Sequence, residues 1–292
     1  MLPGSARIPI SAIILTYNEE QNLPDCLRSL HGWIDQILIV DSGSTDRTLE
    51  IAQHFRADIS QHSFETHARQ WAWALQHLPI RHDWVLGLDA DQRVTGALRA
   101  ELGTYFGQQA AQLADIAGIY IKRRQIFRGA WIRHGGYYPK YLLKLFRRDQ
   151  VFLDEQDLMD HHFYVRGKTL RLHHDLVEDN QKEHSIAFWI EKHNRYAVLH
   201  AQEELKRRRA QHTWPLRAAL LGNPDQRVVW LKQRWDALPL YVRPFLYFFG
   251  RYVILLGLLD GKQGFIFHFL QAFWYRLLVD IHLDELLKDT NQ

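Results

Sequence analysis

The stretch "WVLGLDADQRV" (84–94) ends an apolar run in two carboxylates, Asp89 and Asp91, with Ala90 between them. Carboxylate oxygens are natural ligands for a hard divalent cation. Mg2+ or Mn2+ held by one or two of them keeps coordination positions open for the phosphates of a substrate. A D-x-D pair alone is also what a turn with an Asx cap looks like, so its neighbours decide between the two. Two further polar clusters follow apolar runs upstream: "ILTYNEEQNL", with Thr16, Asn18 and Glu19, and "VDSGSTDRT", from Asp41 to Asp46. Downstream, "QDLMDHHFYVRG" (156–167) concentrates Asp157, Asp160 and His161. "RLHHDLVEDNQ" (171–181) offers His174 as a metal or phosphate contact and Glu178 and Asp179 as further carboxylates.

Such groups need elements to hold them. "ISAIIL" (10–15), "QILIV" (36–40) and "DWVLGL" (83–88) are short continuous apolar runs, the pattern of parallel strands buried on both faces. Between them, residues 19–30 put Leu23, Cys26, Leu27 and Leu30 on one helical face, and residues 44–55 open with Ser, Thr and Asp capping residues. Strands alternating with helices predict an α/β fold, a right-handed βαβ series in a doubly wound sheet, with ligands beyond the carboxyl ends of the strands. All three upstream clusters fall at that edge. Residues 116–127, 140–149 and 161–167 are β-rich and predict a mixed second half of the same domain; residues 184–210 are helical.

With 292 residues, a net charge of +3 and 47% hydrophobic residues, the composition is that of an ordinary globular protein and makes no case for nucleic acid. The single cysteine, Cys26, rules out an internal disulfide. The amino terminus lacks a signal-peptide pattern, and no apolar run reaches the ~20 residues of a membrane span. The expectation is therefore a cytoplasmic chain that does not cross a membrane. No G-x-G-x-x-G follows the first strand, which argues against a dehydrogenase, and no glycine-rich phosphate loop supports a nucleotidylyltransferase.

The three clusters, in this order, resemble the family 2 glycosyltransferases of the GT-A fold, which include bacterial cell-surface polysaccharide and lipopolysaccharide-core enzymes. The resemblance covers residues 10 to about 200. It implies that Thr16 and Glu19, with Tyr17 and Asn18, line the nucleoside pocket of a nucleotide-sugar donor, a UDP-sugar. Asp41 would contact uracil or ribose, with Ser42, Ser44 and Asp46 beside it. Asp89 and Asp91 would hold the cation and diphosphate, with Ala90 between them on the nucleotide, and Arg69 in "HARQWAWAL" would approach the diphosphate. Inverting transfer needs a base for the acceptor hydroxyl. Asp160 matches the acid of the family's M-D-E-H segment, but His161 replaces the next acid, which leaves the base among Asp160, His161 and Asp157. "FWIEKHNRYA" (188–197) resembles a family helix, either packing the acceptor side or simply core.

"PFLYFFGRYVILLGLLDGKQGFIFHFLQAFWYRLLVDIHL" (244–283) is aromatic and leucine-rich, with interruptions at Arg251, Asp260, Lys262 and Arg276. Helices of this kind suit the headgroup region of a membrane, or a buried helical subdomain or oligomer interface. "KRRR" (206–209) suits lipid phosphates or a solvated helix face. The expected organisation is a catalytic domain over 1–210, with a nucleotide half at 8–115 and an acceptor half at 116–210, then an amphipathic helical region over 211–292. Function follows as inverting, metal-dependent sugar transfer to a hydroxyl of a lipid-linked or cell-envelope glycan, peripheral on the inner face of the cytoplasmic membrane, with a homo-oligomer compatible. A polyprenyl-phosphate sugar synthase and an inactive membrane-associated scaffold are the alternatives.

Overall fold

The first apolar run forms β1 (Ile8–Thr16), buried on both faces: Ile10, Ala12 and Ile14 enter one core cluster and Ile13 the other. The computed structural model describes residues 7–155, 158, 162–209 and 214–289. After β1 come α1 (Leu23–Leu30), β2 (Ile34–Asp41), α2 (Thr48–His54), β3 (Asp58–Gln61), α3 (His67–His77) and β4 (Trp84–Asp89). β1 pairs in parallel with β2 and β4, and β2 with β3, as a βαβ series requires. The chain continues through β5 (Gln92–Val94), α4 (Gly96–Phe106), β6 (Ile116–Phe127), β7 (Ala130–Ile132), β8 (Lys140–Arg147), β9 (Val151–Phe152), β10 (Tyr164–Val165) and β11 (Lys168–Glu178). Among the described residues one sheet runs β3-β2-β1-β4-β8-β6-β11-β5, with β7 on β6, and β9 pairs with β10 apart from it. β8 is antiparallel to β4 and to β6, which makes the sheet mixed.

Both upstream helices start later than their periodicity predicts, because the polar residues before them form turns. Asn18 adopts a left-handed φ of 53°, and α1 begins only at Leu23. Asp46 accepts the Thr48 N–H at 2.9 Å and holds the "GSTD" turn open until α2 starts. The β-rich expectation over 161–167 yields only the two-residue β10 within the described residues, while 171–178 belongs to the long β11.

The remaining helices are α5 (Ile186–Arg208), α6 (Pro224–Asp236), α7 (Arg243–Phe249), α8 (Gly261–His268) and α9 (Tyr275–Asp289). A π-turn at Gly250–Ile254 extends α7, and another at Phe269–Trp274 joins α8 to α9. The chain divides into two compact units: Met1–Arg124 with Lys140–Glu155 and His161–Gln181, and Gln125–Pro139 with Gln156–Asp160 and Lys182–Gln292. α5 joins the carboxy-terminal helices because its Ala197 and Ala201 pack with Tyr275, Val279 and Leu283 of α9 in a core of their own. Small residues on one helix admit large ones from the other.

Candidate active site

Strand register assembles the site. Thr16 lies opposite Asp41, and Leu15 opposite Asp89, so the ends of β2 and β4 flank the end of β1. Past β4 the chain turns at once into β5, which pairs antiparallel with the end of β11, Gln92 facing Glu178. That turn and pairing bring Asp89, Asp91 and Glu178 together, with one oxygen from each lying within 4.8 Å of the others. All three are partly exposed. An all-oxygen set of this size suits Mg2+ or Mn2+, which favour carboxylate and phosphate oxygens.

The surroundings fix these groups. Gln92 accepts the Asp89 N–H at 3.2 Å and donates to Glu178 at 2.8 Å, so one buried amide links both strands. Lys144, buried in the middle of β8, donates to Asp89 at 2.9 Å, and Arg123 donates to Glu178 at 3.0 Å. Arg93 holds Asp179 and, at 2.8 Å, Asp25. Cys26 is buried beneath the carboxylates. Burial drives its thiol pKa far up, and Asp91 and Asp89 push the same way, which leaves a neutral thiol.

The second motif is a closed hydrogen-bonded loop. Asp41 is fully buried. Its Oδ1 accepts from Thr16 at 2.9 Å and from the Ser44 hydroxyl, and its Oδ2 accepts the N–H groups of Gly43 and Ser44 at 2.9 and 2.8 Å. These four hydrogen bonds make Asp41 the residue that shapes this loop. Ser44 in turn accepts the Asn18 N–H at 2.8 Å, and Asn18 accepts the Thr45 N–H at 2.8 Å. Thr48 accepts the Glu19 N–H at 2.7 Å, which locks the first motif to the second. Burial raises the pKa of Asp46, but hydrogen bonds from Thr48 and from the Glu20 N–H outweigh it, and the net direction is down. Asn22 donates to Glu19 at 2.7 Å and accepts the Gln181 N–H at 2.8 Å, tying the first motif to the chain just beyond β11. Tyr17 projects outward, 58% exposed.

The other expected residues are placed as follows. His174 is exposed on β11, its N–H held by Glu101. It lies four residues before Glu178, roughly 13 Å along an extended strand, and is not a member of the acidic group. Arg69 is exposed on the first turn of α3, paired with Glu65. Its buried neighbour Gln70 donates to Ser42 and to the His62 carbonyl, each at 3.1 Å, and so joins α3 to the second motif. Asp157, Asp160 and His161 lie outside the described residues. Of "KRRR", Arg207 pairs with Glu203 and Asp236, and Arg208 with Glu204, so two of the four are engaged within the helical unit. In "FWIEKHNRYA", Trp189 is buried and stacks on His193, the mark of a core helix. Sequence reasoning overlooked Lys144, Gln92, Arg123 and Gln70. The available signal was a lysine flanked by leucines in "YLLKLF", a charge inside a run that reads as core.

The model of the glycosyl transferase family 2 matches residues 11–170, more than half of the chain. The chain belongs to glycosyltransferase family 2. This family 2 chain is 29% identical over 217 residues to LpsC of Rhizobium meliloti (strain 1021), a lipopolysaccharide core biosynthesis glycosyltransferase, covering 68% of this chain and 73% of that one. An uncharacterised glycosyltransferase of Rickettsia bellii (strain RML369-C) is 31% identical over 100 residues, 34% of this chain and 33% of the relative, so the match spans a third of that relative's length. Among solved structures, S. aureus TarS 1-349 in complex with UDP gives a TM-score of 0.43 at 15% identity, covering 97% of this chain and 92% of that one. Glucosyl-3-phosphoglycerate synthase from Mycobacterium tuberculosis with Mn2+ and UDP-glucose gives 0.31 at 19% identity, covering 40% and 43%. Likenesses this loose add nothing to the family assignment. The GT-A arrangement expected of the family agrees with the large mixed sheet and the carboxy-terminal helical region.

Proposed function

We propose that the protein transfers a sugar, with inversion and the help of a divalent cation, from a UDP-linked donor to a hydroxyl of a lipid-linked or cell-envelope glycan. The observation that carries this reading is the group Asp89, Asp91 and Glu178 at the edge of the sheet, next to the loop organised by Asp41, in a family 2 chain. A bound cation would neutralise charge on the departing diphosphate. Around it, Lys144 and Arg123 orient the carboxylates, the Asn18–Ser44 network sets the loop, and the exposed Tyr17 ring is available to stack on a base. Similarity to a lipopolysaccharide core enzyme supports the envelope acceptor. Asp160 is the first choice for the base that takes the acceptor proton, ahead of His161 and Asp157.

The test is nucleotide release from a panel of donors with Mg2+ or Mn2+. The parent should release UDP in a cation-dependent way, and Asp91→Ala should lose ~10²-fold or more, as expected when charge stabilisation of the leaving group is removed. Asp160→Asn should keep nucleotide binding and lose transfer. A cation-independent parent, or full activity in Asp91→Ala, would remove the metal from the reading. Survival of transfer in Asp160→Asn would move the base to another residue, or indicate an acceptor that is already a phosphate anion and needs none.

A further inference from the structure

The segment from Arg243 to Arg276 carries an apolar surface that the rest of its unit does not cover. Phe245, Leu246 and Phe249 project from α7 at 58, 53 and 55% exposure, and Ile254 and Leu259 reach 64 and 57%. From Val253 to Leu259 every side chain is exposed except at Gly257, which has none. One face of a helix laid in a groove shows alternating exposure. A run of consecutive exposed apolar side chains is a tip, surrounded by its medium on several sides. A fluid medium can solvate such a tip all round, whereas a folded partner would need a matching pit.

The charges are arranged in the same sense. Between Ala237 and Val279 the only acidic residue is Asp260. Its carboxylate is turned inward, accepting the N–H groups of Arg133 and His134 at 3.1 and 2.9 Å and the His134 ring at 2.6 Å. Arg251 is also turned in, donating to the Gly135 carbonyl at 2.7 Å with its guanidinium over the rings of Tyr137 and Tyr247. Lys262 and Arg133, on either side of Asp260, remain exposed. The outward surface is therefore apolar at the tip and basic beside it, with no outward carboxylate.

Several backbone groups at the tip are paired within the protein. The N–H groups of Leu255, Leu256 and Leu259 bond to the carbonyls of Gly250, Val253 and Leu256 at 2.8, 3.2 and 3.0 Å, and the Leu255 carbonyl accepts from Gly135 at 2.9 Å. Internal satisfaction is what a hydrocarbon medium demands of a chain and what water does not. Among the described residues no single helix is long and apolar enough to cross a membrane, but Arg243–Ile254 and Gly257–Asp289, bent by 71°, pass together by length and composition. A bend of that size puts the tip at the turn.

We propose that this bend dips into one leaflet of a bilayer, with Ile254, Leu255 and Leu259 among the acyl chains and Lys262 and Arg133 at the level of anionic headgroups. The proposal deepens the reading of a lipid-linked acceptor by giving the protein a lipid surface to sit on, and the two can fail separately. The test is flotation of the full chain with vesicles of phosphatidylcholine, with and without phosphatidylglycerol. The parent should float and prefer the anionic vesicles. Ile254→Ser/Leu255→Ser/Leu259→Ser should partition at least about tenfold more weakly, because three large apolar side chains are withdrawn from the lipid. Its melting temperature should not move, because those side chains are already exposed in the fold. Arg133→Glu/Lys262→Glu should lose the preference for phosphatidylglycerol.

A parent that stays with the soluble fraction, or a triple variant that floats as well as the parent, would overturn the proposal. So would a parent dimer, absent in the triple variant, together with no vesicle binding by either; the surface would then cover a second copy. If flotation fails while cation-dependent UDP release persists, the transfer reading stands and the bilayer contact falls. Flotation without UDP release is the converse.

Discussion

Lys144 sets the electrostatics of the acidic group. Three carboxylates within 4.8 Å repel one another, and two buried or half-buried cations, Lys144 on Asp89 and Arg123 on Glu178, offset that repulsion. Glu178→Gln removes one ligand charge while leaving an amide that fits beside Gln92. Mn2+ affinity, read from the paramagnetic signal of the free ion, should weaken about tenfold or more. Lys144→Met should shift it the opposite way, since the amine competes with the ion for Asp89. If both variants bind Mn2+ as the parent does, Glu178 is not a ligand. The other residues of the site act through geometry: Asp41 spends its carboxylate on Thr16, Gly43 and Ser44, and through them holds Asn18.

Close approach governs the elements. Gly87 sits in the middle of β4 because a Cβ there would come within 2.8 Å of the Phe163 ring and 3.2 Å of Trp71. The bare backbone lets both aromatics pack under the strand that ends in Asp89. In the helical unit, Arg243 of α7 is fully buried between Glu204 of α5 and Asp280 of α9, donating at 2.8 and 2.9 Å to the first and at 2.8 Å to the second. Removing Arg243 takes away the cation that neutralises the buried Asp280 and leaves Glu204 with Arg208. Arg243→Met should therefore cost about 3–5 kcal/mol of stability, measured by chemical or thermal unfolding, whereas replacing all three groups with apolar residues of similar volume should recover most of the loss. Near-parent stability for Arg243→Met would mean the helices are held by the Ala197, Ala201 and Val279 contacts alone.

At the scale of the whole molecule, each of the two units has its own core, and the helical one carries its own pH dependence. Burial holds the His193 pKa down to about 4 despite its hydrogen bond to the Trp189 carbonyl, and burial also holds His268 down to about 4 despite nearby Asp260. Both imidazoles are neutral in the fold, while the unfolded chain binds protons below its ordinary value of about 6.5. Their contribution is complete above that value and is lost as pH falls from about 6.5 towards 4, because the unfolded state then takes up protons the folded state refuses. Melting followed by tryptophan fluorescence should show the transition of the helical unit falling across that window, with a shallower slope in His193→Phe. A transition independent of pH over the window would place both rings in water.

Local chemistry was enough to mark part of the candidate site. Apolar runs of strand length, followed by Thr16–Glu19, Asp41–Asp46 and Asp89–Asp91, mark the strand ends at the ligand-binding edge, because period and turn residues are properties of adjacent positions. Register and burial are properties of the folded chain, and they decided the rest. Pairing of β5 with β11 brings in Glu178 from 87 residues beyond Asp91 and leaves His174 aside, and it needs partners that no local pattern reveals. Asp41 is a loop organiser because the fold buries it, and α5 belongs with the carboxy-terminal helices because its alanines admit α9. The leucines of 253–259 read the same in sequence whether they face a core or a lipid, and the tertiary structure left them outward, because burial is decided by what packs against them and not by their own type.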